Sequence, residues 1–128
     1  MNENIERFVL PEKIIKGNHY KMLQFMSNPH GPFLWFGGDE HEGILTNFCE
    51  QLGIDPIFKI AEHFDNDYEV WNFPDDSGFR VAGGGRGTIY LEQKRIKFWD
   101  ASCSYNCEPD ASHLKEMGKY CPGWKFEM

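Results

Sequence analysis

The sequence has no hydrophobic run of the ~18 residues that a membrane-spanning helix needs. Its first residues, Met-Asn-Glu-Asn-Ile-Glu-Arg, lack the basic start and apolar stretch of a signal peptide. Both absences predict a cytoplasmic protein with no membrane partner. Positive charge is also short. The formal net charge is −7, which argues against a general nucleic-acid surface. No internal repeat or low-complexity tract is present. A Walker A loop, a Gly-x-Ser-x-Gly elbow, a His-Glu-x-x-His helix and a Cys-x5-Arg phosphatase loop are all missing. Asp65, Asp67, Asp75 and Asp76 do not fit an EF-hand pattern and read as solvated turn charge.

Cysteine is sparse, with Cys49, Cys103, Cys107 and Cys121 the only four. The paired Cys-x2-Cys knuckles of a zinc site are missing. In a cytosolic chain these residues read as reduced thiols, so no metal or other cofactor is expected. A zinc-supported interaction domain built on Cys103, Cys107, His113 and Cys121 is the weaker alternative.

The chain has 128 residues, a size suited to one domain over 1–128. Aromatic residues make up 16% of it, enough for a packed core. The region from Ile5 to Ile15 reads as a short helix or edge strand broken by Pro11. His19 to Met26 alternates as a strand, with Lys21, Leu23 and Phe25 on one face. A loop over 27–32 leads to an apolar strand from Phe33 to Phe36. Asp39 is the expected N-cap of a helix whose buried stripe is Ile44, Leu45, Phe48, Cys49 and Leu52, with Gly53 as its stop. Pro56 to Phe64 reads as a second short helix or a connection. Strands are expected at Tyr68–Phe73, Phe79–Ala82, Thr88–Leu91 and Arg95–Asp100. A helix over Ser112–Tyr120, capped by Asp110 or Ser112, precedes an edge strand at Trp124–Glu127. This order predicts an α+β fold, a central mixed β-sheet flanked by two α-helices.

The most informative stretch begins at Gly83-Gly84-Gly85-Arg86. Glycines at a strand end allow close backbone approach, and the arginine comes at once after them. A second strand then runs into the small-residue turn Ser102-Cys103-Ser104. An arginine beside such a turn suggests an anion site. These residues resemble the C-terminal half of the Janus/Ocnus family, which includes the phosphohistidine phosphatases. The similar pieces are Gly83 to Arg86, Arg95-Ile96, Ser102 to Asn106, and Lys119-Tyr120-Cys121-Pro122. Together they cover roughly residues 79–126, over a third of the chain.

The resemblance implies a metal-independent phosphatase acting on a phosphohistidine-containing protein or a small phosphoramidate, working as a monomer. It implies a histidine at a helix start as general base or phosphoryl acceptor. His41 fits that context, with His63, in Ala61-Glu62-His63, as the alternative. It implies phosphate binding by Lys21, by Arg86, and by the turn of Ser102, Cys103 and Ser104 through backbone N–H groups. Arg86 could equally hold an acidic neighbour that shapes the turn. Asn106 stands where the family has glycine, and asparagine tolerates the left-handed backbone. One departure is plain: the family's arginine between first strand and helix is absent, and His30 is the only basic residue between Lys21 and His41. A non-catalytic module that binds an anion or a protein partner on the same fold is the competing expectation.

Overall fold

A computed structural model describes residues 5–38, 40–61, 68–102 and 104–128. Asp39, His63 and Cys103, each given a role from the sequence, lie outside the described residues. A six-stranded mixed sheet forms the centre. Its strands are β1 (Phe8–Val9), β2 (His19–Ser27), β3 (Gly31–Phe36), β6 (Phe79–Tyr90), β7 (Arg95–Trp99) and β8 (Lys125–Glu127), in the order β1-β3-β2-β6-β7-β8. The outer strands β1 and β8 run parallel to their neighbours, and the inner pairs are antiparallel. A separate hairpin joins β4 (Ile57–Ala61) to β5 (Tyr68–Asn72). Helices α1 (His41–Leu52) and α2 (Ala111–Tyr120) complete the α+β fold. No described helix is long and apolar enough to cross a membrane.

Alternation along β2 sends successive side chains to opposite faces. Leu23 and Phe25 enter one core with Phe33, Trp35 and the stripe of α1. Met22 enters the other with Leu34, Phe36, Phe98 and the α2 residues Leu114 and Met117. Phe48 sits at the centre of the first core, stacked on Phe25 with ring centroids 4.3 Å apart. Beyond α1, the buried Phe73 just after the hairpin completes this core, and Trp71 of the hairpin packs against it. The Trp71 backbone is held from two sides: Glu42 accepts from the N–H, and the Tyr105 hydroxyl donates to the carbonyl.

Several sequence expectations change. Ile57–Ala61 is a strand, because it pairs with β5 instead of coiling as a short helix. The Ile5–Ile15 element contracts to Phe8–Val9, where pairing with β3 is available. Helix α1 starts at His41, with Glu40 in the N-cap position and no side-chain cap bond. The loop after β2 is tighter than 27–32, since both Ser27 and Gly31 pair.

The largest correction concerns Gly83–Arg86, which lies inside one continuous strand and not at a strand end. β6 pairs with β2 along this whole stretch, Leu23 opposite Gly84 and Lys21 opposite Arg86. The glycines serve close approach. A Cβ on Gly84 would lie 2.8 Å from Leu23 Cδ2 and 3.2 Å from Ser102 Cβ. A Cβ on Gly85 would lie 2.7 Å from the Trp99 carbonyl oxygen. The bare backbone therefore lets the segment after β7 lie directly on the sheet.

Candidate functional site

The periodicity that buries Ile44, Leu45 and Phe48 also turns His41 inward, since it lies three residues before Ile44 on the same stripe. His41 is buried, and its Nε2 lies 2.9 Å from the Gly85 carbonyl oxygen. A carbonyl only accepts, so Nε2 carries the proton and Nδ1 is the basic nitrogen of the neutral ring. Burial holds the His41 pKa below its ordinary value of 6.5. The Gly85 bond opposes that shift, while the nearby charges of Lys21 and Arg86 reinforce it. Asp100 acts in the opposite sense, favouring the charged ring. The position at the start of α1 adds the positive end of the helix dipole.

Lys21 and Arg86 stand directly opposite each other on β2 and β6. Paired residues of an antiparallel ladder point the same way, with Cβ atoms about 4.5–5.5 Å apart. Both side chains are half-buried and face the His41 side of the sheet, the side shared with Leu23. The sheet thus gathers three residues separated by long stretches of sequence: Lys21, His41 and Arg86. Arg86 Nε lies 3.2 Å from Asp100 Oδ2. Asp100 takes the left-handed backbone, φ 67°, uncommon outside glycine, asparagine and aspartate, as the chain leaves β7. Asp100 is the residue that sequence reasoning missed. Its signal was faint: an acidic residue at a strand end, immediately before a turn of small residues.

The turn expected to supply backbone donors is built differently. Ser102 is fully buried, and its N–H donates to the Cys107 carbonyl at 2.8 Å. Cys107 N–H donates back to Ser102 O, and Ser102 Oγ accepts from Tyr105 N–H. Ser102 therefore closes the turn upon itself, and its own N–H is already used. Ser104 is half-buried within the turn. Asn106 adopts the left-handed backbone, φ 49°, which asparagine tolerates. Gly84 donates to the Glu108 carbonyl, which returns the chain to the sheet beside the site.

The thiols and the second buried histidine are engaged differently. Burial pushes the thiols of Cys49 and Cys107 up to about 11, so both stay protonated near neutral pH. His113 cannot serve a zinc site as it stands. Its Nδ1 accepts from Gln24 Nε2, and its Nε2 lies 2.9 Å from the Phe25 carbonyl and 3.1 Å from that of Phe33. Among the described residues, no group of His, Cys, Asp and Glu side chains is placed to share a metal ion. No protein-family model matches the chain, and no curated protein matches it.

Proposed function

We propose that Lys21, His41 and Arg86 form the phosphoryl site of a metal-independent phosphohistidine phosphatase. The observation that carries this reading is the convergence of a buried neutral histidine with two cations across one strand pair. The motif resemblance over residues 79–126, from which these residues were first named, points the same way. The cations and the start of α1 neutralise phosphoryl oxygens. His41 Nδ1 takes a proton from water as the water oxygen bonds to phosphorus. The P–N bond breaks, and the proton that His41 Nδ1 took from the water passes to the leaving imidazole nitrogen, which departs neutral. Direct transfer to Nδ1 is the variant in which His41 itself carries the phosphoryl group before water removes it.

The test is phosphate release from a phosphohistidine-bearing protein by wild type, His41→Ala and His63→Ala. Loss of about 100-fold or more with His41→Ala alone is expected for a lost general base. Acid-quenched enzyme carrying labelled phosphate identifies the transfer variant. No turnover by wild type on any phosphohistidine substrate sinks the phosphatase reading.

The second reading, an anion- or protein-binding module without turnover, is favoured by one observation. The Ser102 N–H is bonded to Cys107 instead of facing an anion. This module binds phosphate in wild type and releases none.

A further inference from the structure

The sheet face that carries Lys21 and Arg86 is covered by α1 only on one side. Toward Leu23 and Phe25 it is buried. Toward β7 and β8 it is open, and register defines which side chains it shows. His19, Thr88, Lys97 and Glu127 stand in one cross-strand row, and Lys21, Arg86 and Trp99 in the next. At the other end Tyr90, Arg95 and Lys125 form a third row. Contacts agree with this placement: Trp99 Nε1 donates to Thr88 Oγ1, and the Arg95 guanidinium lies over the Tyr90 ring.

Charge on this half differs from the rest of the molecule. Arg86, Arg95, Lys97 and Lys125 line up across β6, β7 and β8. Among the described residues two carboxylates answer these cations: Asp100 against Arg86, and Glu127, opposite Lys97 in register and 3.9 Å from Arg95. Four cations against two anions leave this half basic, while the chain as a whole carries −7. A basic patch on an acidic molecule orients an anionic partner toward itself and turns it away elsewhere.

Resting on the phosphatase reading, we propose that this open half of the sheet docks an acidic segment of polypeptide, the stretch of chain flanking the phosphorylated residue. Its rows lead directly to Lys21 and Arg86, so a chain lying across β7 and β6 delivers its phosphoryl group to His41. The exposed aromatics favour polypeptide over single-stranded nucleic acid. Base stacking needs open ring faces. Here Arg95 covers one face of Tyr90, and Trp99 packs against the His19 ring at 4.8 Å with its indole N–H already bonded. The acidic remainder of the surface also repels a long polyanion.

The test is a fluorescence-anisotropy titration with a labelled Glu-rich peptide, a Gly/Ser peptide of equal length and a single-stranded oligonucleotide. The proteins are wild type, Lys97→Gln/Lys125→Gln and Lys97→Glu/Lys125→Glu. Both lysines are exposed and lie outside the phosphoryl site, so the fold and turnover of free phosphohistidine are expected to stay unchanged. Wild type is expected to bind the Glu-rich peptide and not the Gly/Ser peptide. Charge reversal is expected to weaken binding about tenfold or more, with neutralisation intermediate. The KM for a phosphohistidine protein is expected to rise with it. Equal binding by wild type and the reversal variant overturns the proposal, as does no binding by wild type at low salt. Tighter binding of the oligonucleotide, lost on reversal, also overturns it and assigns the face to nucleic acid. If wild type hydrolyses no phosphoramidate, the phosphatase reading falls, and the peptide titration still decides the docking face.

Discussion

Two buried histidines sit on opposite sides of the same sheet, and their surroundings differ in how many ring nitrogens the fold engages. His113 is 1% exposed, and both ring nitrogens are engaged. Gln24, which bonds its Nδ1, also holds the start of α2 through the Asp110 backbone, accepting from its N–H and donating to its carbonyl. The ring thus ties β2, β3 and α2 together. His41 is 6% exposed and donates from Nε2 to Gly85, and among the described residues nothing hydrogen-bonds Nδ1. Lys21 and Arg86 stand near it, whereas a carboxylate, Asp110, is the main charge acting on His113. Burial alone therefore does not mark a reactive histidine. What sets His41 apart is a basic nitrogen with no hydrogen-bond partner among the described residues, beside two cations, and the proposed chemistry rests on it.

The largest expected effects break this comparison apart. His41→Asn keeps a polar side chain but removes the base, and turnover of phosphohistidine is expected to fall about 100-fold or more. The melting temperature should move little by comparison. His113→Ala is expected to do the reverse. It leaves Gln24 and two buried carbonyls without their partner and opens a cavity, at a cost of about 2–4 kcal/mol. Urea denaturation measures that loss. Turnover per folded molecule, read well below the transition, should stay near wild type. Equal loss of turnover in both variants would erase the distinction.

The sheet, both helices and the inward stripe of α1 were legible because each rests on local periodicity. The capping aspartate of α2 was legible too: Asp110 Oδ1 accepts from His113 N–H. Gly83–Arg86 misled for a physical reason. Glycine at a turn and glycine under a crossing backbone look alike in one dimension, and only the partner segment, 99–110, tells them apart. Ile57–Ala61 failed similarly, since its strand exists through pairing with β5. Lys21, His41 and Arg86 could be named from the family likeness, but their meeting depends on the register of β2 with β6 and on the entry of α1. An acidic neighbour for Arg86 was foreseen but not identified, because Asp100 reaches it from a left-handed residue just past β7 that periodicity does not reveal.

Acid sharpens the contrast. Both histidines have lowered pKa values, burial being the leading cause in each. The unfolded chain therefore binds more protons than the folded one in the window below the ordinary value of 6.5. Stability is expected to be full above that value and to fall as pH drops through the window. Denaturation midpoints measured across it should lose part of their pH dependence in His113→Leu and another part in His41→Asn.

The smallest effects test the electrostatics of His41 alone. The Arg86–Asp100 pair is partly exposed, so Asp100→Asn should cost only about 0–1 kcal/mol in stability. Its kinetic signature is directional. Asp100 favours the charged ring, so its removal lowers the His41 pKa further and moves the acid limb of kcat/KM to lower pH. Lys21 disfavours the charged ring, so Lys21→Met moves that limb to higher pH. It also weakens phosphate binding, which the Asp100 variant leaves intact or strengthens by releasing Arg86. Opposite displacements of the two limbs, recorded on the same small phosphoramidate, identify His41 as the titrating base. Limbs that stay together assign the titration to another group and leave His41 as a packing residue at the start of α1.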